Sequence, residues 1–261
     1  LMHPGSTILH YGAGAFEGMK AYRRPDGKCQ LFRPSENAKR MEKSIDRLCL
    51  PHLDADTILD LIERFVAFEQ DWVPAEKGES LYIRPFEFGC DEPIGLHSIK
   101  KAKFMIITCP VGNYYKEGLK PVKIAIEEHD VRAVRGGTGD CKVGGNYAAS
   151  NRAEAVAEEN GFTQVLWLDG VHQKYIEEVG SMNVMFKING EILTPMLTGS
   201  VLPGVTRMSA IEYLKSKGYK VTERLITAEE VIDAVKKGTL EEAWGTGTAA
   251  VVSPIGILHY E

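Results

Sequence analysis

Apolar positions along the chain switch between a helical and a two-residue period, and the switching outlines the elements. Residues 35–47 follow Pro34 and place Met41, Ile45 and Leu48 at helical spacing. Residues 54–71 do so more strongly, with Ile58, Leu61, Ile62, Phe65 and Phe68 on one stripe, so two amphipathic helices are predicted. Two strands follow, in SLYIRP and AKFMIITCPVG. Strict alternation in the first sends Leu81 and Ile83 to one face and Tyr82 and Arg84 to the other, which leaves an arginine beside a tyrosine facing away from the core. The glycine-flanked, aperiodic stretch 112–121 then breaks the pattern.

The second part predicts a helix over 147–160 closed by Gly161, strands over 164–169 and 175–179, and a hairpin from 183–188 through Asn189-Gly190 into 191–193. A helix over 206–217 stops at Gly218, and Thr227 with Glu230 forms a capping box for another that ends near Gly238. A glycine-threonine loop, GTGTA, and an apolar strand close the chain. Mixed short strands and helices indicate an α+β or α/β class. Since 261 residues exceed what one hydrophobic core usually serves, two domains are expected: 1–111, a linker over 112–121, and 122–261.

Composition narrows the function classes. Hydrophobic content of 44% and charged content of 26% are globular values. A formal net charge of −5 without runs of like charge offers no basic surface to a nucleic acid. Cys29, Cys49, Cys90, Cys109 and Cys141 are odd in number and lack CxxC or Cys/His ligand spacing, which points away from a disulfide framework and from a zinc site, and towards a reducing compartment, most simply the cytoplasm. No apolar run approaches the roughly 20 residues that span a bilayer. The chain opens on LMHPGS and stops at HYE just after a strand-like run, so it is expected to continue at both ends, with room for a targeting segment upstream.

Two stretches suit a phosphate. LPGVTR puts Gly204, Val205 and Thr206 at a helix start, where unpaired amides and the helix dipole favour an anion. GTGTA, at 245–249, adds hydroxyls and small residues. Neither is a Walker A loop nor a GxGxxG turn, and each alone reads as ordinary capping. In GDCKVGGNYAAS, Lys142 lies against small residues; most lysines are surface charges, but a desolvated one becomes an amine nucleophile able to form a Schiff base. A phosphate cradle and such a lysine together suit pyridoxal phosphate, whose ring nitrogen needs an acid, and YIEEVGSMN supplies Glu177 and Glu178.

CKVGGNY, EEVGSMN, LPGVTR and GTGTA, in this order, resemble the fold-type IV pyridoxal-phosphate enzymes. LHYGAGAFEGMKAY, LYIRP, CPVGNY and QVLWLDG narrow the resemblance, over nearly the whole chain, to the branched-chain amino acid aminotransferases. It implies a smaller N-terminal α/β domain, and a larger C-terminal domain with a pseudo-barrel of strands and flanking helices. It also implies a homodimer that transaminates leucine, isoleucine and valine with 2-oxoglutarate by a ping-pong route. Carried over residue by residue, Lys142 bonds the cofactor, Tyr147 meets its phenolic oxygen, and Glu178 faces its ring nitrogen with Ser181 nearby. Leu202 packs on the ring, while Arg40, Val205, Thr206 and Thr248 hold the phosphate. Substrate falls to Tyr11, Phe16, Tyr82, Arg84, Tyr114, Thr248 and Ala249, with Leu96 reaching a neighbouring subunit. Vertebrate members carry a CxxC pair after GTGTA; Ala250 and Ser253 stand there in this chain. D-amino acid aminotransferases and aminodeoxychorismate lyases share the lysine and glutamate logic and stand as alternatives, as does a cofactor-binding relative without turnover.

Overall fold

A computed structural model describes residues 2–112, 120–249 and 251–260. The chain divides into two compact units, Leu1–Tyr114 with Cys141–Gly145, and Tyr115–Asp140 with Asn146–Glu261. Most of the expected linker, 113–119, lies outside the described residues. The expected division also assigns 141–145 to the second part, whereas these residues belong to the first unit. The reason is pairing and burial: Phe16 N–H donates to Lys142 O at 3.0 Å, Ala15 bridges Val143, and Cys141 and Val143 join the first unit's core.

The first unit runs α1 (Thr7–Tyr11), β1 (Gly14–Phe16), β2 (Met19–Arg23), β3 (Cys29–Leu31), α2 (Pro34–Arg47), α3 (Ala55–Phe68), β4 (Ser80–Gly89) and β5 (Ala102–Val111). β4 is the spine of its sheet. β5 pairs antiparallel along the length of β4, while β1 and β2 share the opposite edge and β3 lies outside β2. Glu17 and Gly18 fall in the gap between β1 and β2. Pro85 of β4 sits opposite that gap, where no ladder bond needs its missing N–H, and its carbonyl accepts from Glu17 N–H at 2.8 Å. Leu81 and Ile83 are fully buried under α2 and α3, packed with Met41, Ile45, Ile58 and Ile62, and each such side chain contributes about 1.5–3 kcal/mol of transfer free energy. Phe68, expected on the apolar stripe, is 82% exposed. Val66 takes the buried place one turn after Ile62, and two further residues carry the helix more than half a turn round.

The second unit runs β6 (Val122–Glu127), α4 (Gly144–Glu159), β7 (Gln164–Leu168), β8 (Ile176–Val179), β9 (Asn183–Ile188), β10 (Glu191–Pro195), α5 (Val205–Ser216), β11 (Val221–Arg224), α6 (Ala228–Lys236), β12 (Leu240–Gly247) and β13 (Val251–His259). Its eight strands are ordered β11-β10-β9-β12-β13-β6-β7-β8. The sheet curls until its two ends meet: Ile176 N–H donates to Ile226 O at 2.8 Å and Ala228 N–H to Lys174 O at 3.0 Å. Curling encloses a core of Ile124, Leu166, Val179, Val184 and Phe186, and every position of β8 and all but one of β9 are buried rather than alternating. Two expectations shift here. α4 begins at Gly144, and Gly245–Gly247 of GTGTA ends β12, leaving Thr248 and Ala249 as the turn.

One buried ion pair locks the gap in the first sheet. Arg40 Nε donates to Glu17 Oε1 at 2.6 Å and Nη2 to Oε2 at 2.9 Å, while Asn37 Nδ2 at 2.9 Å and Gly18 N–H at 3.1 Å also donate to Oε2. Burial by itself pushes the Glu17 carboxyl up, but the Arg40 guanidinium beside it, with Lys142 and Asn37, holds it below the usual carboxylate range. A depressed carboxylate stabilises the fold above its unfolded pKa and loses that contribution as the pH falls through the ordinary acid range. Glu17→Ala, which leaves Arg40 buried beside no acid, is therefore expected to cost about 3–5 kcal/mol at neutral pH. It should also flatten the loss of stability on acidification. Urea midpoints of wild type and variant at neutral and acid pH check both, and parallel pH profiles contradict the assignment.

Candidate active site

In the first unit the alternation of β4 puts Tyr82 and Arg84 on the face opposite Leu81 and Ile83, and cross-strand pairing puts Phe16 of β1 on that same face, opposite Phe86. Arg84 Nη2 donates to the Tyr82 hydroxyl at 2.7 Å, and the guanidinium carbon lies 4.7 Å from the Phe16 ring centroid. Lys142 Nζ lies 5.1 Å from the same centroid. Its backbone is pinned by Ser44 Oγ, which accepts from Lys142 N–H at 2.9 Å. Gly18 belongs to the arrangement because a Cβ there would stand 2.2 Å from the Tyr82 hydroxyl.

Two cations thus approach one aromatic ring, which attracts each through its quadrupole while they repel one another. A carboxylate between them relieves that repulsion. Among the described residues Arg84 Nε is a buried donor without a hydrogen-bond acceptor, a second sign that an anion belongs there. Phe16 and Arg84 line a cavity of about 460 Å³ with Phe86, Phe88, Ile107 and Gly144, apolar enough to take an aliphatic side chain.

Other expected residues of this unit are placed differently. Arg40 is committed to Glu17 through Nε and Nη2 rather than presented to a ligand by those atoms. Tyr11, at the end of α1, and Leu96, at 89%, are exposed. Tyr114 lies outside the described residues.

In the second unit Glu178 is a buried acid one residue before the end of β8. Its Oε1 accepts from Leu202 N–H at 2.6 Å, and its Oε2 lies 3.4 Å from Arg132 Nε. Ser181, in the turn after β8, is exposed, and Tyr147 of α4 is half-buried. α5 starts at Gly204 with no side chain capping it, so its first-turn amides are the free end that suits an anion. Val205 and Thr206 are its first two residues, and the Thr206 hydroxyl donates to Gly247 O at 3.2 Å, which ties the helix start to the end of β12 just before Thr248 and Ala249. Among the described residues the buried Thr246 hydroxyl next to that junction has no hydrogen-bond partner.

Arg132, Ser200 and Glu17 hold these groups and were not among the sequence-derived candidates. Their partners are distant in the chain, and no motif marks them. Each unit carries groups of the kind pyridoxal phosphate needs: in the first, an amine in an aromatic surround; in the second, a buried acid that accepts a backbone N–H, and an uncapped helix start beside an orphaned hydroxyl. Half-buried Glu42 with exposed Asp46 and His52 brings ligand atoms together, but among the described residues nothing else at that surface indicates an ion.

Comparison with known proteins bears on this geometry. Branched-chain-amino-acid aminotransferase 2 of Bacillus subtilis (strain 168) is 55% identical over 260 residues, 100% of this chain and 72% of that protein. A branched-chain aminotransferase of Thermoproteus uzoniensis solved with norvaline superposes with a TM-score of 0.84 at 25% identity, covering 99% of this chain and 82% of the other. A branched-chain amino acid aminotransferase of T.th., solved with pyridoxamine 5′-phosphate, gives a TM-score of 0.84 at 27% identity, covering 99% and 81%. These neighbours have the fold-type IV architecture expected from the motifs. Residues 14–257 match the amino-transferase class IV family model, and on that span the chain belongs to the class IV aminotransferase family.

Proposed function

We infer that the protein is a pyridoxal-phosphate-dependent branched-chain-amino-acid aminotransferase, exchanging the amino groups of L-leucine, L-isoleucine and L-valine with 2-oxoglutarate. The observation that carries this is the pairing of Lys142 and Arg84 on the Phe16 ring beside an apolar cavity, which suits an amine acting on an aliphatic carboxylate. The near-full-length identity to an enzyme of that name supports the substrate class. When bound, pyridoxal phosphate supplies the electron sink that acidifies the substrate's Cα–H and carries nitrogen between the two half-reactions.

The chain's own residues do the remainder. Lys142 Nζ would hold the cofactor and, when its amine is free, would take the substrate's Cα proton as general base. Glu178 keeps the ring nitrogen protonated, and Tyr147 hydrogen-bonds the ring hydroxyl. Leu202 packs on the ring, with Ser181 beside it. The amides and hydroxyls of Val205, Thr206 and Thr248 hold the phosphate, and Arg40 adds positive charge. Phe16 and the cavity wall receive the isobutyl group, while Arg84 and Tyr82 receive a carboxylate, helped by Tyr11, Tyr114 and Ala249. A methylene more or less in such a pocket changes binding by only about 1–3 kcal/mol, so all three branched substrates react. The preference for these over D-amino acids rests on LHYGAGAFEGMKAY and LYIRP, which supply Phe16, Tyr82 and Arg84.

A homodimer completes the reading. On the substrate face of the first sheet, Met105 and Ile107 of β5 are exposed beside Phe86 and Phe88 of β4, and a second copy is the natural cover for that face, with Leu96 reaching across. Among the described residues no helix is long and apolar enough to cross a membrane. The cytoplasm is the compartment proposed.

Lys142→Ala is expected to lower glutamate formation from leucine and 2-oxoglutarate by about 10²–10⁴-fold or more and to abolish the visible absorbance of the reconstituted protein. Wild-type absorbance in that variant contradicts the role. Arg84→Ala is expected to raise KM for 2-oxoglutarate about tenfold more than KM for leucine, because only the former carries a second carboxylate. Steady-state kinetics with each substrate varied in turn checks this, and equal changes in both KM values count against it.

A further inference from the structure

Glu177 precedes Glu178 in β8, and both are buried, at 5% and 3% exposure. The two carboxylates meet different surroundings. Glu177 Oε1 accepts a hydrogen bond from the Ser200 hydroxyl, and that hydroxyl also pairs with Thr198 Oγ1 at 2.9 Å. The Ser200 carbonyl in turn accepts a hydrogen bond from Arg132 Nη2, which also donates to Gly139 O at 3.2 Å. Arg132 Nε faces Glu178 Oε2 at 3.4 Å, and two residues past Ser200 the Leu202 N–H donates to Glu178 Oε1. The contacts close a ring: Glu177, Ser200, Arg132, Glu178, Leu202 and back along the chain to Ser200. Gly139 presses on the same segment, since a Cβ there would stand 2.4 Å from Ser200 O and 2.8 Å from its Cα.

We propose that Glu177 is a positioning residue for the cofactor's acid, acting through Ser200 to fix the 198–202 turn from which Glu178 receives its backbone donor and its arginine. The inference rests on Glu178 serving the ring nitrogen. With the Glu177 acceptor removed, the Ser200 hydroxyl is released, and the carbonyl and Leu202 N–H that follow lose their reference. Among the described residues Glu177 Oε2 is buried with no hydrogen-bond partner, which costs free energy. Burial pushes the Glu177 carboxyl up to about 7, against the pull of Ser200 and Arg132, with Glu178 and Asp169 adding to the rise. A group that can be neutral leaves its second oxygen unpaired at lower cost, so one of two adjacent acids is free to stay ionised beside Arg132.

The test measures the dissociation constant of the apoprotein for pyridoxal 5′-phosphate by fluorescence titration, with apoprotein Tm as the control for folding. Glu177→Ala and Ser200→Ala are each expected to weaken binding about tenfold, the loss one buried hydrogen bond carries. Glu177→Gln, whose amide oxygen still accepts from Ser200, keeps wild-type affinity. In a Glu178→Ala background, Glu177→Ala should add no further loss, since it acts through Glu178, whereas a merely structural role gives additive losses. If Glu177→Ala fails to fold, Ser200→Ala carries the same comparison. Unchanged affinity in Ser200→Ala, or additive losses in the double variant, overturns the proposal. If Glu178→Ala itself binds the cofactor as wild type does, the reading of Glu178 falls and this inference falls with it, whereas the behaviour of Lys142→Ala is untouched.

Discussion

A carboxylate taken out of water has to be met by donors or by opposite charge, and both units are arranged around that requirement. In the first, Glu17 is surrounded by Arg40, Asn37 and a backbone N–H, and the strand gap that houses it is the same gap that separates β1 from β2. In the second, Glu178 is met by Arg132 and Leu202, and the turn that provides Leu202 is braced from both sides. Each buried acid is held by residues remote in sequence, so the local backbone at the chemistry is fixed by long-range electrostatics rather than by propensity. Replacing either partner arginine leaves a buried charge without its counter-charge, a strongly destabilising change.

The division of labour follows from the two secondary-structure periods. β4, with its two-residue alternation, separates a core face from a face that bears Tyr82, Arg84, Phe86 and Phe88. The curled sheet of the second unit buries both sides of β7–β10, so its candidate site residues Glu178, Thr206 and Thr248 fall near strand ends, a helix start and a turn. Side-chain recognition of an aliphatic substrate suits the open face. Anion binding by backbone amides suits the helix start.

Elements with a strong period and definite ends were legible in the sequence: α2, α3, β4, β5, the Asn189-Gly190 hairpin, α5, and α6, whose Thr227 caps as expected. In α6 both halves of the capping box form, and the Glu230 carboxylate that accepts from the Thr227 backbone also pairs with Arg224. Three-residue strands such as β1 and β3 are too short to show a period, and β12 is hidden because its last residues are glycine and threonine, which read as a loop. The start of α4 at Gly144 and Gly145 runs against helix propensity and follows from the pairing of Val143 with Ala15 just before it. At the site, Lys142, Glu178 and Thr206 came from motifs, and Tyr82 with Arg84 from alternation. Arg132, Ser200 and Glu17 did not, since what singles them out is a partner supplied by folding.

The first unit is discontinuous in sequence, and this shapes how it can be made. Its core is incomplete until Cys141 and Val143, 1% and 2% exposed, have arrived from beyond the first strand of the other unit. A ribosome releasing the chain from the N-terminus therefore exposes an unfinished apolar interior until residues 141–143 have emerged, when Lys142 is delivered together with the two residues that seal the core. The arrival of Lys142 and the closing of the core are one event in the life of the nascent chain, so a truncated product lacking that segment is deprived of this candidate amine and of its stability at once.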